Sequence, residues 1–305
     1  MKRGYWYLSV TFFFWGSMYV VSKYALACIP PLTLSFLKQA LSVTLIGLLA
    51  YRKGLKPIAK EHWGYFLIIG VLGYALNGIF QFQATHIMNA SLSSLFNSMN
   101  PLFISLFAVA LLKEKMTKNK TVGMMVSFAG VCMILGLDGT SIRASGVVFA
   151  LLSVLVWSFS SVLMRKVSQY YGSEQIAFTG MLVGLPVCAV SSALELQTRE
   201  MVVEWQAVLA VFYLAVFCSM LTNLLWNASL KILDASVCAL FYPLQTFFSA
   251  ILGIAFLHER ISAPFVIGGI LISAGVILGL WEKYYPKKNR NMTMVVQDKR
   301  NYNVL

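Results

Sequence analysis

Asn89-Ala90-Ser91-Leu92 opens an apolar run that closes on Lys113-Glu114-Lys115-Met116-Thr117, and Asp234-Ala235-Ser236-Val237 opens another that closes on His258-Glu259-Arg260-Ile261-Ser262. Position 89 falls on 234 and position 117 on 262, so one shift of 145 superimposes both ends without a gap. The same shift carries Leu95-Phe96 onto Leu240-Phe241 and Val122-Gly123 onto Ile267-Gly268. An internal repeat of this length decides the architecture. Each copy is a set of apolar helices. With an odd number of helices per copy, the two copies lie upside down relative to each other in a bilayer, the plan of many secondary transporters.

Composition points to the bilayer as well. Of 305 residues 59% are hydrophobic and 11% charged, against about 25% charged in a soluble domain; the mean hydropathy is +0.74. Crossing a ~30 Å hydrocarbon core takes about 20 apolar residues. Ten stretches meet that need, roughly 5–28, 32–51, 63–84, 89–112, 121–137, 146–166, 175–194, 205–230, 235–257 and 263–282. The first is longer than a signal-peptide core of about 7–15 residues and is read as a retained span. The expected fold is an all-α integral membrane protein, with ten transmembrane helices as two inverted five-helix repeats, 1–142 and 143–284. A polar tail, 285–305, is read as a disordered cytoplasmic end.

Basic residues set the orientation. With the N-terminus in the cytoplasm, that side receives 19 of the 24 Lys and Arg, including Arg52, Lys53, Lys113, Lys115 and Lys166. The outer side holds Arg143, Arg199 and Arg260, while Lys23 and Lys38 fall inside spans. Both termini are therefore expected in the cytoplasm, in a multi-pass protein of the cell membrane. The net charge of +13 is spread over loops, so it does not signal a nucleic-acid partner. The five cysteines (28, 132, 188, 218 and 238) show no CxxC spacing and read as small buried hydrophobes. No metal or cofactor is expected.

The interior polar residues carry the functional argument. A shift of 142 maps Trp15, Tyr19 and Lys23 of the first span onto Trp157, Ser161 and Arg165 of the sixth, each trio on one helix face. Asn77 and Gln81 stand four apart on the third span, and Asn97 and Asn100 three apart on the fourth, with Pro101 next. Asn223 and Asn227 flank Trp226 on the eighth span, and Tyr242 and Gln245 flank Pro243 on the ninth. An unpaired amide in hydrocarbon is costly, so these groups should face the bundle interior. Two readings stand: a polar cavity near the midplane, or interhelical hydrogen bonds of about 0.6–2 kcal/mol each. Clustering on two equivalent helix pairs favours the cavity. Arg165 reads more simply as a positive-inside residue.

Lys23 and Lys38 each lie about seven residues from the Pro30-Pro31 turn, so both are expected roughly 10 Å below the outer end. No Asp or Glu is expected within a span core to neutralise them. Snorkelling, loss of a proton or a bound anion remain as ways to bear the charge. The missing carboxylate also disfavours exchange of a proton for an organic cation at a single acid.

Phe14-Trp15-Gly16-Ser17 with Lys23, Pro30-Pro31 followed by Lys38, and the paired Ala-Ser-Leu…Pro-Leu…Glu-Lys and Ala-Ser-Val…Pro-Leu…Glu-Arg segments carry a resemblance. The chain is similar to the EamA-type family of the drug/metabolite transporter superfamily, over nearly all its length to about residue 284. The resemblance implies a transport cavity between the third–fourth and eighth–ninth helix pairs, with the first and sixth helices beside it. The usual Arg on the second helix is here Lys38, which loses bidentate geometry. The clustered basic residues of phosphate-exchanging relatives have no match, so a sugar phosphate is disfavoured.

The expected function is a secondary active or facilitative transporter, an exporter by family analogy. It moves a small polar or amphipathic metabolite, such as an amino acid or derivative, by alternating access. The candidate substrate-binding residues are Trp15, Tyr19, Lys23, Lys38, Asn77, Gln81, Asn97, Asn100, Trp157, Asn223, Trp226, Asn227, Tyr242 and Gln245. The expected partners are a small-molecule substrate and the lipid bilayer, with the chain a monomer or homodimer. The rival is a membrane-embedded enzyme or lipid-handling protein. It lacks a nucleophile–base pair or metal set here, because His62, His86 and His258 all fall near span ends.

Overall fold

Pro30-Pro31 shows how local chemistry places the helix boundaries. Pro30 is extended (φ −57°, ψ 147°) and Pro31 occupies the first helical position, where its missing N–H is no loss. The computed structural model describes residues 2–112, 118–137, 143–233, 238–239 and 241–284, and every regular element among them is helical. The helices are α1 (Lys2–Leu26), α2 (Pro31–Lys53), α3 (Lys60–Ile87), α4 in two parts (Ala90–Asn97 and Asn100–Leu112), α5 (Lys118–Leu137), α6 (Ala144–Val167), α7 (Ser173–Glu195), α8 (Trp205–Ile232), α9 (Tyr242–Leu257) and α10 (Ala263–Tyr284). Six of them, α2, α3, α4, α6, α7 and α8, are long and apolar enough to cross a bilayer. Shorter apolar stretches lie in α5, α9 and α10. The expected first span, α1, is not among the six. The 285–305 tail and the 113–117 and 234–237 segments of the repeat lie outside the described residues.

Three helices depart from a plain α-helical course, and each departure sits beside the polar residues. Pro101 removes a donor and crowds the carbonyl four residues back, which is that of Asn97. The helix accordingly breaks at Ser98–Met99, and the Asn100 amide supplies the lost donor, Nδ2 to the Asn97 carbonyl at 2.8 Å. In α3 a π-helical stretch runs from Ile69 to Leu76, and in α8 another runs from Val216 to Leu221. The 145-residue shift pairs Leu76 with Leu221, so both wide turns end at matched positions. Such turns loosen carbonyls; Asn223 Nδ2 donates to one of them, Ser219 O, at 2.7 Å.

At the end of the bundle carrying the α1–α2 turn, two helix N-termini receive carboxylates from elsewhere in the chain. Glu195, just beyond the expected end of the seventh span, is the buried last residue of α7. Its Oε2 accepts from Thr33 N at 2.8 Å and Thr33 Oγ1 at 3.1 Å, in the first turn of α2. Glu259 accepts from Ala90 N at 2.6 Å, Ser91 N at 3.1 Å and Ser91 Oγ, at the start of α4. Orphan N–H groups and the helix dipole both favour an anion there. Two features aim Glu259. His258 takes a left-handed conformation (φ 53°) that turns the chain back, and Gly253 leaves room, since a Cβ there would lie 2.7 Å from Glu259 Oε2. Glu259→Ala is expected to cost about 1–3 kcal/mol by leaving these buried donors unpaired, read as a lower melting temperature in detergent, with Glu259→Gln losing about half as much.

Glu259 corrects the expectation that no acid is near enough to act on Lys23. Lys23 lies within Coulombic reach of Glu259. Beside this cap, α4 and α9 are laced together: Ser249 Oγ donates to Ala90 O at 3.3 Å, Thr246 Oγ1 to Ser94 O at 3.0 Å, and the Ser98 and Thr246 hydroxyls are hydrogen-bonded at 2.7 Å. At the opposite end Arg165 donates from Nη1 to the Leu230 and Leu233 carbonyls, closing the C-terminus of α8. Helices α5 and α10 pack on each other, with Ser127 Oγ donating to Ile272 O at 3.1 Å. Of the cysteines, Cys188, Cys218 and Cys238 are buried as expected, but Cys132 is exposed and Cys28 half-buried.

Candidate functional site

The polar residues converge on one cavity of about 50 Å³ between the helices. Helix α1 supplies Trp15 and Met18, α2 Lys38 and Gln39, α3 Gly73, Tyr74, Asn77 and Gln81, and α4 Asn97. From the later part of the chain come Trp157 on α6, Met181 on α7, Cys218, Ser219 and Asn223 on α8, and Tyr242 and Gln245 on α9. Trp15, Lys38, Asn77, Gln81, Asn97, Trp157, Asn223, Tyr242 and Gln245 were expected from the sequence. Five other candidates, Tyr19, Lys23, Asn100, Trp226 and Asn227, are not on the wall.

Those five differ in what they do. Tyr19 stands directly behind the wall: its hydroxyl accepts from Gln81 Nε2 at 2.8 Å and Gln245 Nε2 at 3.0 Å, tying α1 to α3 and α9. Asn100 backs Asn97, donating to its Oδ1 at 3.0 Å and accepting from Ser158 Oγ at 2.8 Å. Trp226 is buried in an aromatic cluster, 5.4 Å from Trp15, 5.9 Å from Tyr242 and 6.1 Å from Phe12 between ring centroids. Asn227 is buried, and neither side-chain polar atom has a hydrogen-bond partner among the described residues. Lys23 belongs to the Glu259 end of the bundle.

Lys38 behaves differently from Lys23, although equal depth was expected of both. It is a half-buried lining residue of the cavity, with its Nζ 5.1 Å from the centroid of the buried Phe82 ring. No carboxylate among the described residues pairs with it. A cation–π contact contributes about 0.5–2 kcal/mol, whereas removing an ammonium from water costs several kcal/mol. The protein alone therefore leaves this charge under-compensated.

The aromatic side of the wall is rigid. Trp15 and Trp157 meet edge to face, with centroids 5.6 Å apart, and Trp157 Nε1 donates to Tyr242 OH at 2.6 Å. Such pairs contribute about 0.5–1.5 kcal/mol beyond burial and fix ring orientation. Gln39 was not anticipated. Its Nε2 donates to Met181 O at 2.9 Å, holding α2 to α7 at the cavity edge. Its only sequence signal was being a second polar residue beside Lys38. Cys218, Ser219, Gly73 and Tyr74 reach the wall through the π-helical turns, which the sequence does not announce.

A bundle with several bilayer-length apolar helices around a cavity lined by polar side chains is a multi-pass membrane protein with the build of a transporter. The chain belongs to the EamA-like transporter family, which matches residues 2–136 and again residues 144–281. It is similar to an uncharacterized transporter of Archaeoglobus fulgidus, 25% identical over 276 residues, covering 89% of this chain and 95% of that one. It is 26% identical over 268 residues to the uncharacterized transporter YvbV of Bacillus subtilis, covering 87% of each. Protein PecM of Dickeya dadantii is 25% identical over 271 residues, covering 87% of this chain and 88% of that one. A solved crystal structure shares the fold at a TM-score of 0.69, with 18% identity, over 94% of this chain and 100% of the other.

Proposed function

We propose that this chain is a secondary active or facilitative transporter that exports a small polar or amphipathic metabolite, such as an amino acid or derivative, by alternating access. In this reading ten transmembrane helices form two inverted five-helix repeats, 1–142 and 143–284, with both termini in the cytoplasm. The carrying observation is the cavity, whose polar wall is drawn from both segments that the family matches. The matched π-helical turns support the repeat. The volume of about 50 Å³ holds only water-sized contents, against about 300–1,000 Å³ for a typical ligand pocket. Loading therefore requires helices to part, and the α4–α9 seam beside Glu259 is the contact that must open on the outer side.

Purified protein should show ligand-dependent thermal stabilisation within a broad metabolite panel. Proteoliposomes should then carry the stabilising compounds, with and without a pH gradient to reveal coupling. Absence of both stabilisation and flux across that panel would count against transport.

A further inference from the structure

We infer that the substrate of this cavity is an organic anion, a carboxylate on a planar apolar body, with Lys38 supplying its counter-charge. This rests on the transporter reading and narrows it. Lys38 lines the cavity half-buried, its Nζ lies 5.1 Å from the centroid of the Phe82 ring, and none of the described residues accepts a hydrogen bond from it. The acids at the turn end of the bundle are engaged elsewhere: Glu195 with the first turn of α2, Glu259 with the start of α4. No Asp or Glu lines the cavity.

The sign of the charge follows from this asymmetry. Side-chain amides such as Asn77 and Asn97 either donate or accept, so they serve polar substituents of any kind without selecting charge. Lys38 only donates. An anion entering the cavity gains the one uncompensated charge there, at low dielectric. An organic cation meets repulsion from Lys38 and finds no carboxylate to hold it. The body of the ligand is set by Trp15, Trp157 and Tyr242, whose locked rings present flat apolar surface beside the polar groups.

The test uses three probes with the same ring and chain length that differ in charge: phenylacetate, phenylacetamide and phenethylamine. Binding to the full-length purified protein is followed by tryptophan fluorescence, and flux by uptake into proteoliposomes. Phenylacetate should bind about tenfold more tightly than the amide or the amine. Lys38→Met should abolish the preference for phenylacetate over the amide, and Lys38→Arg should keep it. Equal binding of phenylacetate by wild type and Lys38→Met, or an amine bound as well as the acid, would overturn the inference. Should Lys38→Met fail to fold, the ranking of the three probes on wild type decides alone. Amide or amine flux without anion preference would defeat the anion while leaving the transporter standing. No binding or flux of any probe, joined to a silent metabolite panel, would defeat the transporter itself.

Discussion

Gly184→Leu is expected to abolish accumulation of folded protein, the largest stability effect of any single change considered. Helices α3 and α7 cross with their backbones in contact. A Cβ built on Gly184 runs into the Gly70 carbonyl and lies 3.0 Å from Gln39 Nε2, while one built on Gly70 lies 2.7 Å from the Gly180 carbonyl oxygen. Gly180 and Gly184 stand four apart, the small-xxx-small spacing that lets membrane helices approach closely. Overpacking a core costs about 1–3 kcal/mol when side chains can yield. Here the obstacle is main chain, and displacing α7 also strains the Gln39–Met181 bond beside the cavity, so the upper end of that range is a floor. Gly184→Ala should be milder and should melt measurably below wild type. Gly64→Leu is the control, since nothing lies within 4 Å of a Cβ there. The readouts are the monodisperse fraction after detergent extraction and the melting temperature. A Gly184→Leu protein that melts within a few degrees of wild type would show that the crossing is looser than its geometry.

Most helix positions were legible because hydrocarbon demands long uninterrupted apolar runs, and proline and glycine punctuate them. Pro30-Pro31 gave the α1–α2 turn, and Pro101 foretold the break in α4. Which acids enter the bundle was not legible. Glu195 sits one residue past an apolar run and Glu259 follows a histidine, so both read as loop residues. Their burial depends on a tertiary fact, that α2 and α4 begin with orphan N–H groups beside them. Hydropathy registers the charge of a carboxylate but not the helix N-terminus that will hold it.

The same split runs through the candidate site. The amide pair Asn77 and Gln81 on α3 reaches the wall as its helical spacing predicted. Around Trp226 only part of the expected face reaches the wall, although Asn223, Trp226 and Asn227 all lie in the regular α-helix Thr222–Ile232 that follows the π-helical turn at Val216–Leu221. Ser219 and Asn223 reach the cavity there, whereas Trp226 and Asn227 go into the packed interior. Helical spacing names residues that share a face, but not how far along that face the cavity extends. Lys23 and Lys38 stand equally far from the turn along the chain yet have different neighbours, Glu259 for one and the Phe82 ring for the other. Their distances from the turn were right, but depth alone does not say which way a side chain faces.

Tyr19→Phe is expected to cut flux by about tenfold, equivalent to some 1.4 kcal/mol, while lowering the melting temperature by only a few degrees. Tyr19 lines nothing, yet its oxygen is the common acceptor for Gln81 on α3 and Gln245 on α9. Removing it deprives both amides of the atom that fixes their rotamers. Each lost bond costs up to about 1–3 kcal/mol if the donor stays dry. Both amides face the cavity, so water can take over, and the stability loss should fall well below that sum. What water does not restore is the alignment of two opposed wall groups, one from each half of the chain. A ligand read by both must then reorder them on binding, which weakens affinity. Tyr51→Phe, on an exposed surface of α2, should leave flux unchanged and so serves as the control. A structural role alone predicts that flux per folded molecule survives in Tyr19→Phe. Preserved flux in the surviving protein would remove Tyr19 from the transport pathway, whereas a loss of flux at nearly unchanged melting temperature would make it a positioning residue of the site.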